Sequence, residues 1–145
     1  MTEGDLDLEI EVSGPVGARE RPKSKDGTGQ LEQEVRFGRY VLTHILGKGG
    51  MAEVYLARQD GPAGFAKQVV VKRIRRALAD ETRFVKMFLR EARTAARLNH
   101  VNTVQIFELG EEDGEYFIAM EHIDGITVQR AARRSWALER SIPLE

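Results

Sequence analysis

Three glycines within four residues form the first feature that could do chemistry. They lie in Gly47-Lys-Gly-Gly-Met-Ala-Glu-Val54, between two runs typical of strands. Glycine lets backbone N–H groups approach a phosphate closely, so the segment is a candidate phosphate-binding loop as well as an ordinary hairpin turn. A Rossmann loop would open a helix, whereas a strand follows this loop. A Walker loop would end in Gly-Lys-Ser/Thr, whereas Gly49 follows Lys48 here. The segment predicts a unit of strand, glycine loop and strand.

Two charged residues further along could act with this loop. Lys72 ends the aliphatic run Val69-Val-Val, 23 residues after Gly49, and it either faces outward or reaches the same cleft. Glu91 belongs to a helical pattern and shares a face with Phe88 and other apolar residues. Most helix glutamates face water, but a carboxylate within an apolar stripe is costly unless a cation meets it. The pattern therefore predicts a Lys72–Glu91 ion pair.

The elements that must position these residues follow the order β-β-β-α-β-β. Period-two alternation and β-branched runs predict strands, whereas helical spacing that begins after Asp80, the expected N-cap, predicts one helix. This order indicates an α+β fold, a five-stranded antiparallel sheet with one helix packed against it. The predicted strands are 40–46, 53–58, 68–74, 104–109 and 116–120, and the helix is 80–98.

Residues 1–36 differ from the rest of the chain. They carry nine acids, five bases and no aromatic residue, which predicts a disordered, flexible tail. Within them, acids and aliphatic residues alternate from Asp5 to Val12, a pattern that could instead add a strand to a partner's sheet. Residues 37–125 are expected to form the folded unit, and 126–145 a helix-prone continuation.

Composition excludes several classes of function. The net charge of −1 argues against nonspecific binding to nucleic acid or to an anionic membrane. The chain has no cysteine, which removes disulfides and thiolate metal sites, and no apolar run long enough to span a bilayer. We therefore expect a cytoplasmic protein.

Together the loop, the lysine and the glutamate resemble the N-terminal lobe of a protein kinase, specifically of the bacterial serine/threonine kinases of eukaryotic type. The segment from Asn99 to Val104 is similar to the family's His-Pro-Asn-Ile-Val turn, and residues 116–125 are similar to its fifth strand and hinge. Ala52 stands where the family has a third glycine, and His122 where it has an aromatic hinge residue. The resemblance covers about residues 37–140.

The resemblance implies ATP as the ligand and assigns each residue a role. Lys72 would hold the α- and β-phosphates, and Glu91 would orient it. Met120 would be the gatekeeper, while the backbones of Glu121 and Ile123 would meet the adenine edge. Leu46 and Val54, with Met120, would make apolar contacts with the adenine. The other ATP-binding residues of the loop would be Gly47, Lys48, Gly49, Gly50, Met51, Ala52 and Glu53.

The residues that complete catalysis in this family do not occur in the sequence. Neither His-Arg-Asp nor Asp-Phe-Gly is present, and no aspartate follows Asp124. The spacing of His122-Ile-Asp124 matches H-x-D, but it directly follows the fifth strand and is interpreted as the hinge. We therefore expect no metal site and no phosphoryl transfer by this chain alone, magnesium being expected only in the full-length family.

Three interpretations follow from that absence. The chain is the ATP-binding lobe of a kinase truncated at the start of the C-terminal lobe, or a lobe-only module whose exposed face docks on a protein partner, or a chain that inherits the fold and is degraded. The first is the prediction, and the second is the alternative.

Overall fold

The computed structural model describes residues 28–126 and 131–133. These residues form an α+β unit in which one sheet is crossed by a long helix. The elements are β1 (Gly29–Phe37), β2 (Tyr40–Lys48), β3 (Ala52–Asp60), β4 (Ala66–Ile74), α1 (Arg76–Ala79), α2 (Thr82–Ala96), β5 (Ile106–Glu112) and β6 (Glu115–Glu121). Residues 131–133 are helical. Most of the expected tail, and most of the continuation after residue 125, lie outside the described residues.

The sheet has the strand order β1-β2-β3-β4-β6-β5, and every neighbouring pair is antiparallel. Strands β1 to β4 are consecutive, as short connections favour. The helices lie in the connection between β4 and β5. The acidic hairpin between β5 and β6 turns at Asp113 and Gly114, whose φ angles of 53° and 76° lie in the left-handed region that such tight turns use.

The prediction of five strands is wrong, because the sheet has six. The additional strand is β1, within the stretch expected to be a flexible tail. Leu31 and Phe37 on β1 are buried, and Val35 packs against the same core. The other side chains of β1 are mostly charged or amides and exposed, as expected of an edge strand that pairs only with β2. The three apolar residues of β1 stand among many polar ones, so their alternation was too weak to predict a strand.

The two faces of the sheet bury two separate cores. One face packs strand side chains against each other, with Tyr55 and Val71 near its centre and Phe37 meeting Phe117 edge to face at 5.2 Å. The other face packs against the helices, where Ile74 and Ile118 contact a cluster that includes Phe88 of α2. Because strand side chains alternate between faces, β3, β4 and β6 each contribute to both cores, whereas Ile106 of β5 packs against the helix side.

The sheet curls so that the start of β2 approaches β5, two strands that are not neighbours in the sheet. The Tyr40 hydroxyl donates a hydrogen bond to Glu108 Oε2 at 2.5 Å, and Arg39 donates to the same oxygen. Burial alone would raise the pKa of Glu108, but the hydrogen bonds from Tyr40 and Arg39 and the positive charge of Arg39 leave it below its usual value. This contact ties β2 to β5 across the curl of the sheet.

The helical region differs from the single helix 80–98 that was predicted. The short helix α1 ends at Ala79 with Asp80 as its C-cap, and α2 begins at Thr82 with Glu81 as its N-cap. Asp80 is therefore not the N-cap of the long helix, because the chain has already completed one helical turn before it. The long helix buries one face, formed by Val85, Phe88, Leu89 and Ala92.

Candidate functional site

Lys72 and Glu91 form an ion pair between the sheet and the helix. Lys72 Nζ lies 2.5 Å from Glu91 Oε1, which joins β4 to α2. The lysine side chain is 24% exposed and the glutamate side chain 54% exposed, so the pair borders solvent. The predicted pairing is confirmed, and it places an ammonium group with a fixed position on the face of the sheet that α2 covers.

Glu91 is more exposed than its helical pattern predicted. Glu91 lies at the margin of the buried face of α2, and Met87 on the same side is 47% exposed. An apolar stripe therefore does not surround the carboxylate. A half-exposed pair of this kind contributes little to stability, since solvent screens the charges and both side chains lose freedom. Its geometry is better explained by what the ammonium group could hold than by folding.

The glycine loop joins β2 to β3 as a short hairpin connection, as predicted. The Gly49 N–H donates to the Ala52 carbonyl at 2.8 Å, and the Met51 carbonyl accepts from the Arg75 N–H at 2.8 Å. A Cβ atom built on Gly47 or on Gly50 would meet nothing within 4 Å. Neither residue is among the described glycines with positive φ. Inside the protein, neither backbone conformation nor packing requires glycine at these two positions.

The strand register places the loop opposite the lysine. Gly47 pairs with Val54, which in turn pairs with Lys72. Directly paired residues of antiparallel strands point to the same face. Gly47, the side chain of Val54 and the ammonium group of Lys72 therefore lie in one row on one face of the sheet, which we call the cleft face.

Apolar side chains extend the cleft face beside Lys72. Val70 lies two residues before Lys72 and pairs with Met120 of β6, so both side chains point to the cleft face. Met120 packs against the helix-side core, and Leu46 is 48% exposed beside the loop. Val70 was missed by the sequence analysis, although its spacing of two from Lys72 on the same strand was a sufficient signal.

Two predicted loop residues point away from the cleft face. Glu53 is buried on the opposite face, where the Tyr55 hydroxyl donates to Glu53 Oε2 at 2.7 Å. Lys48 pairs with Glu53 and so shares that face, although its side chain is exposed. Ala52 is buried in the helix-side core. Only the backbones of Lys48 and Glu53 remain candidates for contact with a ligand of the cleft face.

The predicted hinge follows directly from β6, which ends at Glu121. The Glu121 N–H donates to the Gln105 carbonyl at 2.9 Å, and the Gln105 N–H donates back to Glu121 Oε2 at 3.3 Å. This reciprocal contact fixes the start of the hinge against the segment before β5. Ile123, two residues on, is 60% exposed.

The described residues hold neither a cluster of metal ligands nor a membrane-spanning helix. Residues 28–126 and 131–133 contain no group of three or more His, Asp or Glu side chains placed to hold a metal ion. Over the same ranges, no helix has the length and apolar composition needed to cross a bilayer.

Comparison with known proteins agrees with this geometry. The family profile described as protein kinase domain matches residues 40–142. The tyrosine-protein kinase MasK of Myxococcus xanthus is 44% identical over 108 residues, and the serine/threonine-protein kinase PrkC of Bacillus subtilis is 41% identical over 92 residues. The kinase domain of Mycobacterium tuberculosis PknI superposes with a TM-score of 0.53 at 36% identity.

The matched region is a small part of these proteins. The MasK match covers 74% of this chain but 17% of MasK, and the PrkC match covers 63% of this chain but 14% of PrkC. The PknI match covers 70% of this chain and 40% of the solved kinase domain. The chain thus spans less than a fifth of the two relatives and about two fifths of the solved domain.

Proposed function

Because the chain belongs to the protein kinase domain family, of which it spans a part, we propose that residues 37–125 are the ATP-binding N-terminal lobe of a serine/threonine protein kinase. The observation that carries the proposal is the 2.5 Å contact between Lys72 Nζ and Glu91 Oε1. An ammonium group fixed by a carboxylate neutralises phosphate charge without having to reorganise. Lys72 would bind the α- and β-phosphates, and Glu91 would hold the ammonium group in place.

The open space beside two glycines of the loop supports the proposal of a phosphate ligand. Gly47 and Gly50 have free volume where a side chain would project, and neither needs glycine for its own conformation. A ligand that approaches the backbone closely would explain glycine at both positions, because a Cβ atom would keep it away. Gly47 lies in the same cross-strand row as Val54 and Lys72, which supports binding of one triphosphate by the loop and the lysine together.

The apolar side chains of the cleft face support the proposal of an adenine ligand. Leu46 and Val54 would contact one side of the ring, and Val70 and Met120 would line the wall behind it, as apolar contacts do in nucleotide pockets. The backbones of Glu121 and Ile123 would meet the polar edge of the base. The Glu121 N–H already donates to Gln105, so the contribution of Glu121 would come from its carbonyl.

The chain holds only part of what phosphoryl transfer needs. Transfer also requires a residue that accepts the proton of the substrate hydroxyl and side chains that hold magnesium. The 145 residues contain neither His-Arg-Asp nor Asp-Phe-Gly. We therefore propose that these residues bind nucleotide but do not transfer phosphate by themselves.

We propose serine and threonine as the acceptor residues because several relatives are named serine/threonine-protein kinases. PrkC and a probable serine/threonine-protein kinase of Streptomyces coelicolor, 42% identical over 104 residues, carry that name, whereas MasK is named a tyrosine-protein kinase. The N-terminal lobe binds the nucleotide and not the protein substrate, so the cleft face does not itself distinguish the two acceptors.

The alternative proposal is a lobe that docks on a protein partner. Exposed apolar side chains favour it, because Leu98 and Val101 after α2 and Ile123 in the hinge are 57%, 92% and 60% exposed. Large exposed apolar patches mark interaction surfaces. In a complete kinase domain a C-terminal lobe would cover this side, so the same observation is compatible with the first proposal.

A nucleotide titration tests the first proposal. ATP should bind the purified chain, and Lys72→Met should remove the binding, measured by calorimetry or by NMR shifts of the loop glycines. Lys67→Met is the matched control, since Lys67 lies on the same strand, is exposed and alternates to the opposite face. Equal binding by the wild type and Lys72→Met, or equal loss in both variants, would contradict the proposal.

A further inference from the structure

The outward side of α2 carries a continuous row of bases. Five basic residues follow one another at intervals of three and four residues, and all five are exposed. At 3.6 residues per turn these positions fall within an arc of about 80° and extend over about 21 Å. We call this row the basic stripe, which comprises Arg83, Lys86, Arg90, Arg93 and Arg97.

The basic stripe lacks the counter-charges that a solvated helix face usually has. Within the part of the chain that the structure describes, none of its five residues has an ion-pair partner. The only acid within α2 is Glu91, which binds Lys72. Like charges at this spacing destabilise a helix. An acidic partner along the basic stripe would relieve this effect.

The chain itself contains a segment of the opposite charge. Residues 3–12 carry five acids and no base, and four of the acids alternate with aliphatic residues at Asp5, Asp7, Glu9 and Glu11. In an extended conformation these four carboxylates would lie on one side and span about 20 Å. That length matches the length of the basic stripe.

We propose that residues 3–12 of this chain, the acidic segment, dock on the basic stripe of α2. Fifteen residues, 13–27, separate the segment from the described structure and can span at most about 50 Å. A domain of this size is about 35 Å across, so the segment can reach α2. Tethering gives it an effective concentration in the millimolar range, which favours it over a free acidic peptide. The proposal does not depend on nucleotide binding.

Paramagnetic NMR on the full chain tests this docking. The sequence has no cysteine, so Thr2→Cys provides a single site for a spin label beside the acidic segment. We expect the label to broaden the amide signals of the basic stripe more than those of the sheet. Raising the salt from 0.1 M to 1 M, which shortens the Debye length from about 10 Å to about 3 Å, should remove most of this broadening.

Charge-matched variants separate docking on the basic stripe from general attraction. Replacement of Arg83, Arg90 and Arg97 by glutamine should abolish the broadening, whereas the same replacement of the exposed bases Arg36, Lys67 and Arg133 should leave it unchanged. Equal loss in both variants, or no selective broadening in the wild type, would overturn the proposal. Broadening that arises only between labelled and unlabelled copies of the chain would also overturn it. A basic stripe whose amide signals respond to an added oligonucleotide but not to the acidic segment would do the same.

Discussion

Val54 and Lys72 lie directly opposite each other on β3 and β4, and this pairing fixes the distance between the glycine loop and the lysine. Gly47, close to the end of β2, pairs with Val54 on the other side and continues the same row. A ligand held by both groups therefore depends on one antiparallel hairpin and on α2, which brings Glu91 to Lys72. Substitutions in this row should affect binding more than folding.

Glu91→Gln should weaken nucleotide binding while leaving stability almost unchanged. The pair is half exposed, so its loss should change the free energy of unfolding by less than about 1 kcal/mol. Without the carboxylate, the ammonium group of Lys72 is no longer held in one position, so ATP affinity should fall but remain above that of Lys72→Met. Thermal unfolding and an ATP titration on the same sample check both effects. A large fall in Tm with unchanged affinity would contradict this expectation.

Gly50→Ala should separate folding from ligand binding at the loop. Because Gly50 has ordinary φ and open space, alanine there should leave the protein as stable or about 0.4–1 kcal/mol more stable, through a less flexible unfolded chain. It should nevertheless reduce ATP affinity, since the new methyl group enters the space proposed for phosphate. The measurement is urea unfolding combined with nucleotide titration.

Gly38→Ala is the contrasting variant for that experiment. Gly38 has a φ of +55°, and its Cβ would lie 2.9 Å from Glu112 Oε2. Alanine there should destabilise the sheet, because the backbone conformation disfavours a side chain and the Glu112 side chain must move. ATP affinity of the folded protein should not change. If Gly50→Ala destabilised as much as Gly38→Ala, the loop glycine would have a structural role.

The sequence predicted the contact between Lys72 and Glu91 better than the boundaries of the sheet. The two could be paired because they carry opposite charges on a strand and on the helix expected to cover it, although Glu91 is more exposed than its helical pattern predicted. The strand β1 could not be predicted, since its burial depends on pairing with β2 and not on its own composition. The face of β3 on which Glu53 lies could not be predicted either, because alternation along a strand does not show which face meets the helix. That assignment requires the strand register.

Glu115→Gln should destabilise the protein far more than removal of a surface ion pair. Arg73 and Glu115 form a pair in which the side chains are 10% and 4% exposed, with Arg73 Nη2 2.7 Å from Glu115 Oε2. Breaking a buried ion pair by removing one partner costs about 3–5 kcal/mol. Glu53, which pairs with Arg73 across β3 and β4, remains near the guanidinium, so we expect the lower end of this range. Glu34→Gln, which removes one of the two exposed partners of Arg58, is the control and should cost less than about 1 kcal/mol. Chemical denaturation of both variants makes the comparison, and equal effects would contradict it.

The contact between Tyr40 and Glu108 should make the sheet sensitive to acid. The pKa of Glu108 is lower in the folded protein than its usual value, because the hydrogen bonds and charge from Tyr40 and Arg39 outweigh burial. Because its pKa is depressed, the Glu108 carboxylate stabilises the folded protein at pH values above the usual glutamate pKa of about 4.3. This stabilisation is lost as the pH falls through the pKa of the folded state. Thermal unfolding from pH 7 to pH 3 should therefore show a falling Tm. Glu108→Gln should lower Tm at pH 7 and flatten the profile, and an unchanged slope would assign the acid sensitivity elsewhere.

The 145-residue chain incubated with ATP, magnesium and a general protein substrate should show no phosphoryl transfer. Lys72 can neutralise phosphate charge, but no residue of the sequence occupies the positions of the family's catalytic aspartate or magnesium-binding aspartate. The measurement is transfer of the labelled γ-phosphate, with a complete bacterial kinase domain as the positive control. Turnover that Lys72→Ala abolishes would show that other residues of this chain supply the missing groups. Turnover that Lys72→Ala leaves intact would indicate a contaminating kinase, because the proposed site cannot act without its ammonium group.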